Sequence, residues 1–144
     1  MSLQPLLDQV PFVAHTGLQV EDYAPGRVVL SLPTAAHVQN HVGSVHAGAL
    51  FLLAETAASA ACATHPQLAN LRLLARNMDI RFKKPARGGV TAHAEVTEDM
   101  ARAVRQGITR LGKHELEVLV ELLDGHGGTV AQARGVYSFR PRAA

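Results

Sequence analysis

The chain has little of what several classes of protein require. Its 144 residues include no tryptophan, four phenylalanines and two tyrosines, which gives no sign of an aromatic-stacking pocket for a ligand. Cys62 is the only cysteine, so a disulfide within the chain is excluded. The formal net charge of +2 is too small to indicate nucleic-acid binding. These scarcities favour a globular protein that is compatible with a reducing cytoplasm.

Long hydrophobic runs are scarce too. Residues 47–63 are the only candidate for a membrane span, and this run is short, rich in alanine and interrupted by Glu55, Thr56 and Ser59. The first five residues lack the basic start and apolar core of a signal peptide. We therefore expect no membrane association and a cytoplasmic location.

The composition is that of an ordinary folded protein. It is 47% hydrophobic and 18% charged, which excludes disorder, and neither a repeat nor a low-complexity linker is present. At this length we expect one domain over residues 1–144.

Hydrophobic periodicity predicts an alternation of helices and strands. Helices are expected over residues 3–13, with Ser2 as a candidate N-cap, over residues 46–63, and between Thr97 as N-cap and Gly112 as the stop. Strands are expected over residues 17–23, 27–32, 71–82, 90–96, 115–123 and 129–139, and a loop over residues 33–44. Met78, Ile80 and Phe82 are expected to face the core. An antiparallel sheet curved around one long central helix, an α+β architecture, satisfies this order.

One carboxylate lies in the middle of the most apolar helix. Glu55 is the only charged residue of the run over residues 47–63, where apolar side chains on nearly all sides predict a helix enclosed by other structure. Burying an ionised carboxylate is costly unless it is paired or changes its protonation. Chains tolerate this cost mainly where the carboxylate performs chemistry, so Glu55 is the candidate catalytic residue. A structural ion pair with Arg72 or Arg76 is the alternative.

The residues around Glu55 resemble a known signature. Residues 40–57 read NHVGSVHAGALFLLAETA, which is similar to the signature of hot-dog-fold acyl-CoA thioesterases of the PaaI-like branch. That signature has an Asn, a His six residues later followed by small residues, and an acid nine residues after the His. Asn40, His46 and Glu55 occupy these places. The resemblance implies the hot-dog fold, hydrolysis of an acyl-CoA or acyl-carrier-protein thioester, and two sites across a dimer interface.

Thioester hydrolysis needs an activated water and a site for the developing oxyanion. Residues 46–48 open the long helix, so the backbone N–H groups of Ala47 and Gly48 are expected to lack partners at the positive end of the helix dipole. At a rise of about 1.5 Å per residue, Glu55 lies roughly 12–13 Å along the helix from His46. This distance is too long for both residues of one chain to lie beside the same thioester carbonyl. A homodimer or homotetramer, in which the helix start of one chain faces Glu55 of another, resolves this distance.

Each of three further polar residues has two candidate roles, one in catalysis and one in structure. Ser59, one turn after Glu55, is expected to hold the water that Glu55 activates or only to pack. His46 either takes part directly or caps the helix start. Asn40 either orients the water or the thioester carbonyl, or forms a turn.

The densest basic cluster lies at the end of the strand predicted over residues 71–82, near a Pro-Gly turn. It consists of Arg81, Lys83, Lys84 and Arg87. One interpretation is a clamp for the phosphates of coenzyme A or of a carrier protein's phosphopantetheine arm; the other is a solvated strand face.

Metal chemistry is not indicated. His37, His41 and His46 lack a fourth ligand, so we expect no metal, and no cofactor other than the coenzyme A thioester as substrate. The leading hypothesis is a thioester hydrolase. A dehydratase or hydratase that uses His46 with Glu55, and an inactive acyl-thioester binding protein, are the alternatives.

Overall fold

The computed structural model describes residues 2–143. Its helices are α1 (Gln4–Asp8), α2 (Pro11–Thr16), α3 (Ala47–Thr64) and α4 (Glu98–Leu111). Its strands are β1 (Gln19–Ala24), β2 (Arg27–Leu32), β3 (Leu71–Phe82), β4 (Val90–Glu95), β5 (His114–Leu123) and β6 (Thr129–Pro141). The loop predicted over residues 33–44 contains a short 3-10 turn, Ala36–Val38.

The six strands form one antiparallel sheet that wraps around α3. Their order is β1-β2-β4-β5-β6-β3, and α3 packs against every strand from β2 to β6. The alternation along β5 shows why: Leu116 and Val118 are buried while Glu115 and Glu117 are exposed, so one face of the sheet is dry and turns to the helix. The predicted α+β architecture, a sheet wrapped around a central helix, is confirmed.

Small side chains let the sheet approach α3 closely. Leu53, Ala54, Ala57, Ala58 and Ala61 have no exposed surface. A buried leucine contributes about 1.5–3 kcal/mol, and the alanines leave room for the strands to pack against the helix backbone. By length and composition α3 could cross a membrane, but half of its residues are buried inside the fold, as in a core helix.

The start of α3 is more open than the sequence predicts. Ala47 and Gly48 are exposed and Phe51 is 38% exposed, so the expectation of a helix enclosed on nearly all sides is wrong for its first turns. The sheet covers the opposite face of the helix and its second half, and one side of the N-terminal turns reaches the surface of the chain.

The helix predicted over residues 3–13 is two short helices. Pro11 begins α2, because proline lacks an N–H and suits the first position of a helix. Val10 before it is extended, with φ −93° and ψ 107°, which ends the preceding segment. Leu3, not the predicted Ser2, is the N-cap residue of α1, and no side chain caps that helix.

The predicted ends of α4 are confirmed. The Thr97 hydroxyl accepts a hydrogen bond of 3.2 Å from the Met100 N–H at the start of the helix. Gly112 ends it with φ +74°, a left-handed conformation that favours glycine.

Strand β3 lies at an edge of the sheet and is irregular between Ala75 and Asn77. Met78 and Ile80 pack partly buried against the core, as predicted. Phe82 is 50% exposed, so the prediction that it faces the core is wrong. Phe82 lines a cavity beside the exposed first turn of α3, which does not cover it.

Candidate active site

Two hydroxyl groups hold the carboxylate of Glu55, which is half-buried on α3. The Tyr137 hydroxyl, from β6, donates to Oε2 of Glu55 over 2.9 Å. Oγ of Ser59 lies 3.1 Å from the same oxygen and 2.7 Å from the carbonyl oxygen of Glu55, the latter a common bond of helical serines. The serine therefore contacts Glu55 directly.

No cation of residues 2–143 forms an ion pair with Glu55. Arg76 approaches Glu115 instead, with 3.9 Å between the charged atoms, and Arg72 forms no ion pair within the described chain. The structural ion pair considered as the alternative is therefore absent from residues 2–143. Glu55 is a half-buried carboxylate whose partners there are hydroxyl groups.

The titratable neighbours of Glu55 stay protonated at neutral pH. Burial, followed by the charge of Glu55, raises the pKa of Tyr137 above its ordinary value. The same two causes raise the pKa of the Cys62 thiol to about 12. Tyr137 is therefore a constant donor to the carboxylate, and Cys62 packs as a small buried side chain.

Tyr137 is a site residue that the sequence analysis missed. It occupies a core-facing position of an alternating strand and is only 1% exposed. A buried tyrosine hydroxyl usually needs a hydrogen-bond partner. That requirement was the available signal, although it does not say which residue the partner is.

The side chain of His46 caps the start of α3. Its Nδ1 accepts a hydrogen bond of 2.8 Å from the Gly48 N–H. A Cβ atom at position 48 would lie 3.1 Å from Nδ1, so glycine makes room for the ring. The expectation of two free N–H groups is therefore wrong for Gly48, whereas the Ala47 N–H has no partner in residues 2–143.

Asn40 organises the loop that leads into α3. Its Oδ1 accepts from the N–H groups of Val42 and Ser44 at 3.0 and 3.1 Å, and its Nδ2 donates to the Ser44 hydroxyl over 3.0 Å. The Asn40 side chain thus stabilises a turn, which is the alternative role given for it in the sequence analysis. An amide carries two N–H bonds on nitrogen, so one donor of Asn40 remains.

A cavity of about 390 Å³ opens between the start of α3 and the turn after β3. Its lining combines the loop, the helix start and the basic turn: Asn40, Ser44, Val45, Ala47, Leu50, Phe82, Lys83, Lys84, Pro85 and Ala86. Glu55 does not line it. One chain therefore brings Asn40 and Ala47 to a shared cavity and leaves Glu55 outside it.

The predicted basic cluster does not act as one group. Lys83 and Lys84 line the cavity at the start of α3, whereas Arg81 lines a separate cavity with Glu121 and Gln132. Arg81 still belongs to β3, whereas Lys83, Lys84 and Arg87 follow the end of the strand at Phe82, where the chain turns away.

Two of the four cations already have partners. Lys84 forms an ion pair of 2.9 Å with Asp124, and the Arg87 guanidinium donates to the Val42 carbonyl over 3.0 Å. The Lys84 hydrogen bond, followed by backbone N–H donors, lowers the pKa of Asp124 to about 2. Lys83 is the member of the cluster that lines the cavity and has no side-chain partner in residues 2–143.

His37, His41 and His46, which the sequence analysis considered as metal ligands and set aside, form no ligand group in residues 2–143. His37 packs edge to face against His15, with 5.3 Å between the ring centroids. Within residues 2–143, no three His, Cys, Asp or Glu side chains are grouped as metal ligands would be.

The sheet wrapped around α3 and the carboxylate in that helix define a hot-dog-fold protein. Residues 4–137 match the family described as Domain of unknown function (DUF4442), and the chain belongs to this family. A Pseudomonas aeruginosa protein of unknown function, PA5026, described as a probable thioesterase, is 30% identical with a TM-score of 0.89 over 99% of this chain and 97% of that one.

Two other relatives agree with this assignment. VNG_1336C of Halobacterium salinarum, whose name includes the word esterase, is 30% identical over 146 residues, 96% of this chain and 89% of that protein. The PaaI protein of the E. coli phenylacetic acid degradation operon shares the fold at 24% identity, with a TM-score of 0.74 over 98% of this chain and 91% of that one. The resemblance to hot-dog thioesterases of the PaaI-like branch is confirmed.

Proposed function

We propose that the protein hydrolyses acyl thioesters of coenzyme A or of an acyl carrier protein. The observation that carries the proposal is the half-buried carboxylate of Glu55, which has hydroxyl partners and no cationic partner in residues 2–143. Such a carboxylate can accept a proton from water or attack a carbonyl carbon itself. The descriptions of the relatives in P. aeruginosa and H. salinarum as thioesterase and esterase support hydrolysis.

In the general-base form of the reaction, Glu55 takes a proton from water while the water oxygen bonds to the thioester carbon. The carbonyl oxygen becomes an oxyanion, and the Ala47 N–H at the start of α3 donates to it with the helix dipole behind it. Collapse of this intermediate breaks the carbon–sulfur bond, and the proton passes from Glu55 to the departing thiolate. In the alternative form Glu55 attacks the thioester carbon, the carbon–sulfur bond breaks and the thiolate leaves to take a proton from water, and a second water later cleaves the resulting anhydride to the free acid and Glu55.

The N–H groups of Asn40 and Gly48 are further donors near the oxyanion. Asn40, which keeps one amide hydrogen, lines the same cavity as Ala47. The Gly48 N–H becomes available when the His46 ring turns away, so His46 is proposed as a positioning residue. Ser59 is proposed to help position the carboxylate and its water.

This mechanism requires a second copy of the chain. Glu55 lies outside the cavity at the start of α3, so we propose a homodimer in which Glu55 of the second copy completes the site. The large exposed apolar side chains Val42, Phe51 and Phe82, at 55%, 38% and 50% exposure, support a covered surface here. The edge strand β3 would gain protection as well. A homotetramer would be a pair of such dimers.

Lys83 is the residue best placed to meet the phosphates of coenzyme A. It lines the cavity and has no side-chain partner in residues 2–143, whereas Lys84 and Arg87 are engaged and Arg81 lies elsewhere. Lys84, although paired with Asp124, would still add to the positive electrostatic potential at the mouth of the cavity. The proposed reaction uses no metal or other cofactor. A cytoplasmic location and the absence of nucleic-acid and membrane partners remain predictions.

A panel of acyl-CoA thioesters tests the proposal. We expect release of free thiol, measured with a thiol reagent and by mass spectrometry. Glu55→Gln should lower kcat about 10²-fold or more because the amide cannot accept a proton. Glu95→Gln, at an exposed position of β4, is the matched control and should retain activity.

Two results would contradict hydrolysis. Water addition or loss across the acyl chain without thiol release would indicate a hydratase or dehydratase. Tight binding of acyl-CoA without turnover would indicate a binding protein. Full activity of Glu55→Gln would remove Glu55 from the mechanism.

A further inference from the structure

We infer that Tyr137 is a positioning residue that holds Oε2 of Glu55, so that Oε1 is the oxygen that reacts. This inference rests on the proposed function, because it assigns roles to the two oxygens of the proposed catalytic carboxylate.

The hydrogen bonds of the carboxylate are asymmetric. The Tyr137 hydroxyl lies 2.9 Å and the Ser59 hydroxyl 3.1 Å from Oε2. Oε1 has no hydrogen-bond partner in residues 2–143. Since Tyr137 is 1% exposed, the oxygen that it holds is turned towards the interior of the fold, and Oε1 is the oxygen left without a donor in residues 2–143.

The strand is shaped to keep the tyrosine ring in this position. Gly135 lies two residues before Tyr137 on the same face of β6. A Cβ atom at position 135 would lie 2.7 Å from Cε2 of Tyr137 and 2.9 Å from Cε of Met78. Any side chain at position 135 would displace the ring and with it the hydroxyl.

Packing alone does not explain a tyrosine at position 137. Phenylalanine would fill the same apolar space, and burying a hydroxyl is costly unless it forms a hydrogen bond. The partners of this hydroxyl in residues 2–143 include two atoms of Glu55, Oε2 at 2.9 Å and the carbonyl oxygen at 3.3 Å, together with the hydroxyl of Ser59, which itself contacts Glu55. The hydrogen bond to Glu55 therefore accounts for the hydroxyl at position 137, whereas packing does not.

Within residues 2–143 the carboxylate of Glu55 has neutral donors and no cationic partner. The titratable groups that face Glu55 are the phenol of Tyr137 from β6 and the thiol of Cys62 from α3 itself, and both stay protonated at neutral pH. The other strands packed against α3 contribute no cation paired with Glu55 within residues 2–143. The Tyr137 hydroxyl is thus one of the two neutral donors that contact the carboxylate in residues 2–143.

Tyr137→Phe tests the inference. We expect kcat for an acyl-CoA to fall about 10- to 100-fold, the cost of losing a hydrogen bond to a charged group, with little change in KM. The acidic limb of the kcat/KM profile should move to higher pH, because the ionised carboxylate loses a donor. Tyr23→Phe, in β1 at the other edge of the sheet, is the matched control and should show neither effect.

Gly135→Ala is the second variant. It keeps the hydroxyl but pushes the ring, so it should show the same loss of kcat and the same shift of the acidic limb. Because both changes act on one hydrogen bond, the double variant should be little worse than either single one. If Tyr137→Phe fails to fold, the kcat and pH profile of Gly135→Ala alone test the inference.

The outcomes separate this inference from the proposed function. Suppose that the wild type is active and Glu55→Gln is inactive. If Tyr137→Phe or Gly135→Ala then keeps the wild-type kcat and pH profile, the role of Tyr137 is overturned and hydrolysis still stands. A wild-type protein that releases no thiol from any acyl-CoA or acyl-carrier-protein thioester would overturn the proposed function itself.

Discussion

Nδ1 of His46 accepts a hydrogen bond of 2.8 Å from the backbone N–H of Gly48, two residues further along the chain. Of the two N–H groups expected to face a substrate, that of Ala47 alone therefore lacks a partner in residues 2–143. Ala47 also lines the cavity at the start of α3, which makes its N–H the principal oxyanion donor of the proposed mechanism.

Ala47→Pro should remove this donor while leaving the fold intact. Position 47 is the first residue of α3, where proline is well tolerated, and His46 already has the extended conformation, with φ −63° and ψ 140°, that a following proline requires. We expect kcat to fall about 10²- to 10³-fold, the usual effect of losing an oxyanion donor. Steady-state kinetics and circular dichroism measure the two effects.

Ala47→Gly is the matched control, because it keeps the N–H and should stay within a few-fold of wild-type kcat. Wild-type kcat in a folded Ala47→Pro variant would show that the Ala47 N–H does not stabilise the oxyanion.

Mixing two inactive variants should restore activity if each site uses two chains. Glu55→Gln and Ala47→Pro, refolded together in equal amounts, would give half mixed dimers with one of two sites intact, or about a quarter of wild-type activity. Sedimentation should show at least a dimer at micromolar concentration. A stable, active monomer, or a mixture without recovery although mixed dimers form, would contradict the shared site.

Lys83→Ala should raise KM for acyl-CoA with little change in kcat. Lys83 lies at the cavity rim, and its contact with a phosphate would be equal in ground and transition states. The effect should shrink at high salt and for an acyl-pantetheine that lacks the nucleotide. Lys113→Ala, at a different cavity, is the control. An equal rise in KM for both substrates would exclude a phosphate contact.

The Lys84–Asp124 pair should make stability depend on pH at the acidic end. The pKa of Asp124 is lowered from its ordinary 3.8 to about 2, so its ionised form stabilises the fold above about pH 3.8, and this stabilisation is lost as the pH falls through about 2. Asp124→Asn should lower Tm at neutral pH, and the difference from wild type should vanish across that window. A difference that stays constant from pH 5 to pH 2 would contradict the assignment. Thermal unfolding at a series of pH values measures it.

Much of the fold could be predicted from the sequence because its signals are local. The strand alternation of β5 and the helical spacing and caps of α4 depend on residues a few positions apart. The candidate carboxylate also stood out locally, since Glu55 is the only charge within an apolar run. The single helix predicted over residues 3–13 was wrong because Pro11 begins a second helix and does not continue the first.

The surroundings of Glu55 were decided by tertiary structure. Tyr137 reaches Glu55 across 82 positions of sequence, a contact that depends on the register of β6 in the sheet and on the rotation of α3 beneath it. The basic residues at the end of β3 are close in sequence, yet Arg81 lines one cavity, Lys83 lines another, and Lys84 is paired with Asp124. Hydrophobic periodicity determines which face of an element is buried, whereas only the packed arrangement of helix and sheet determines which side chains meet there.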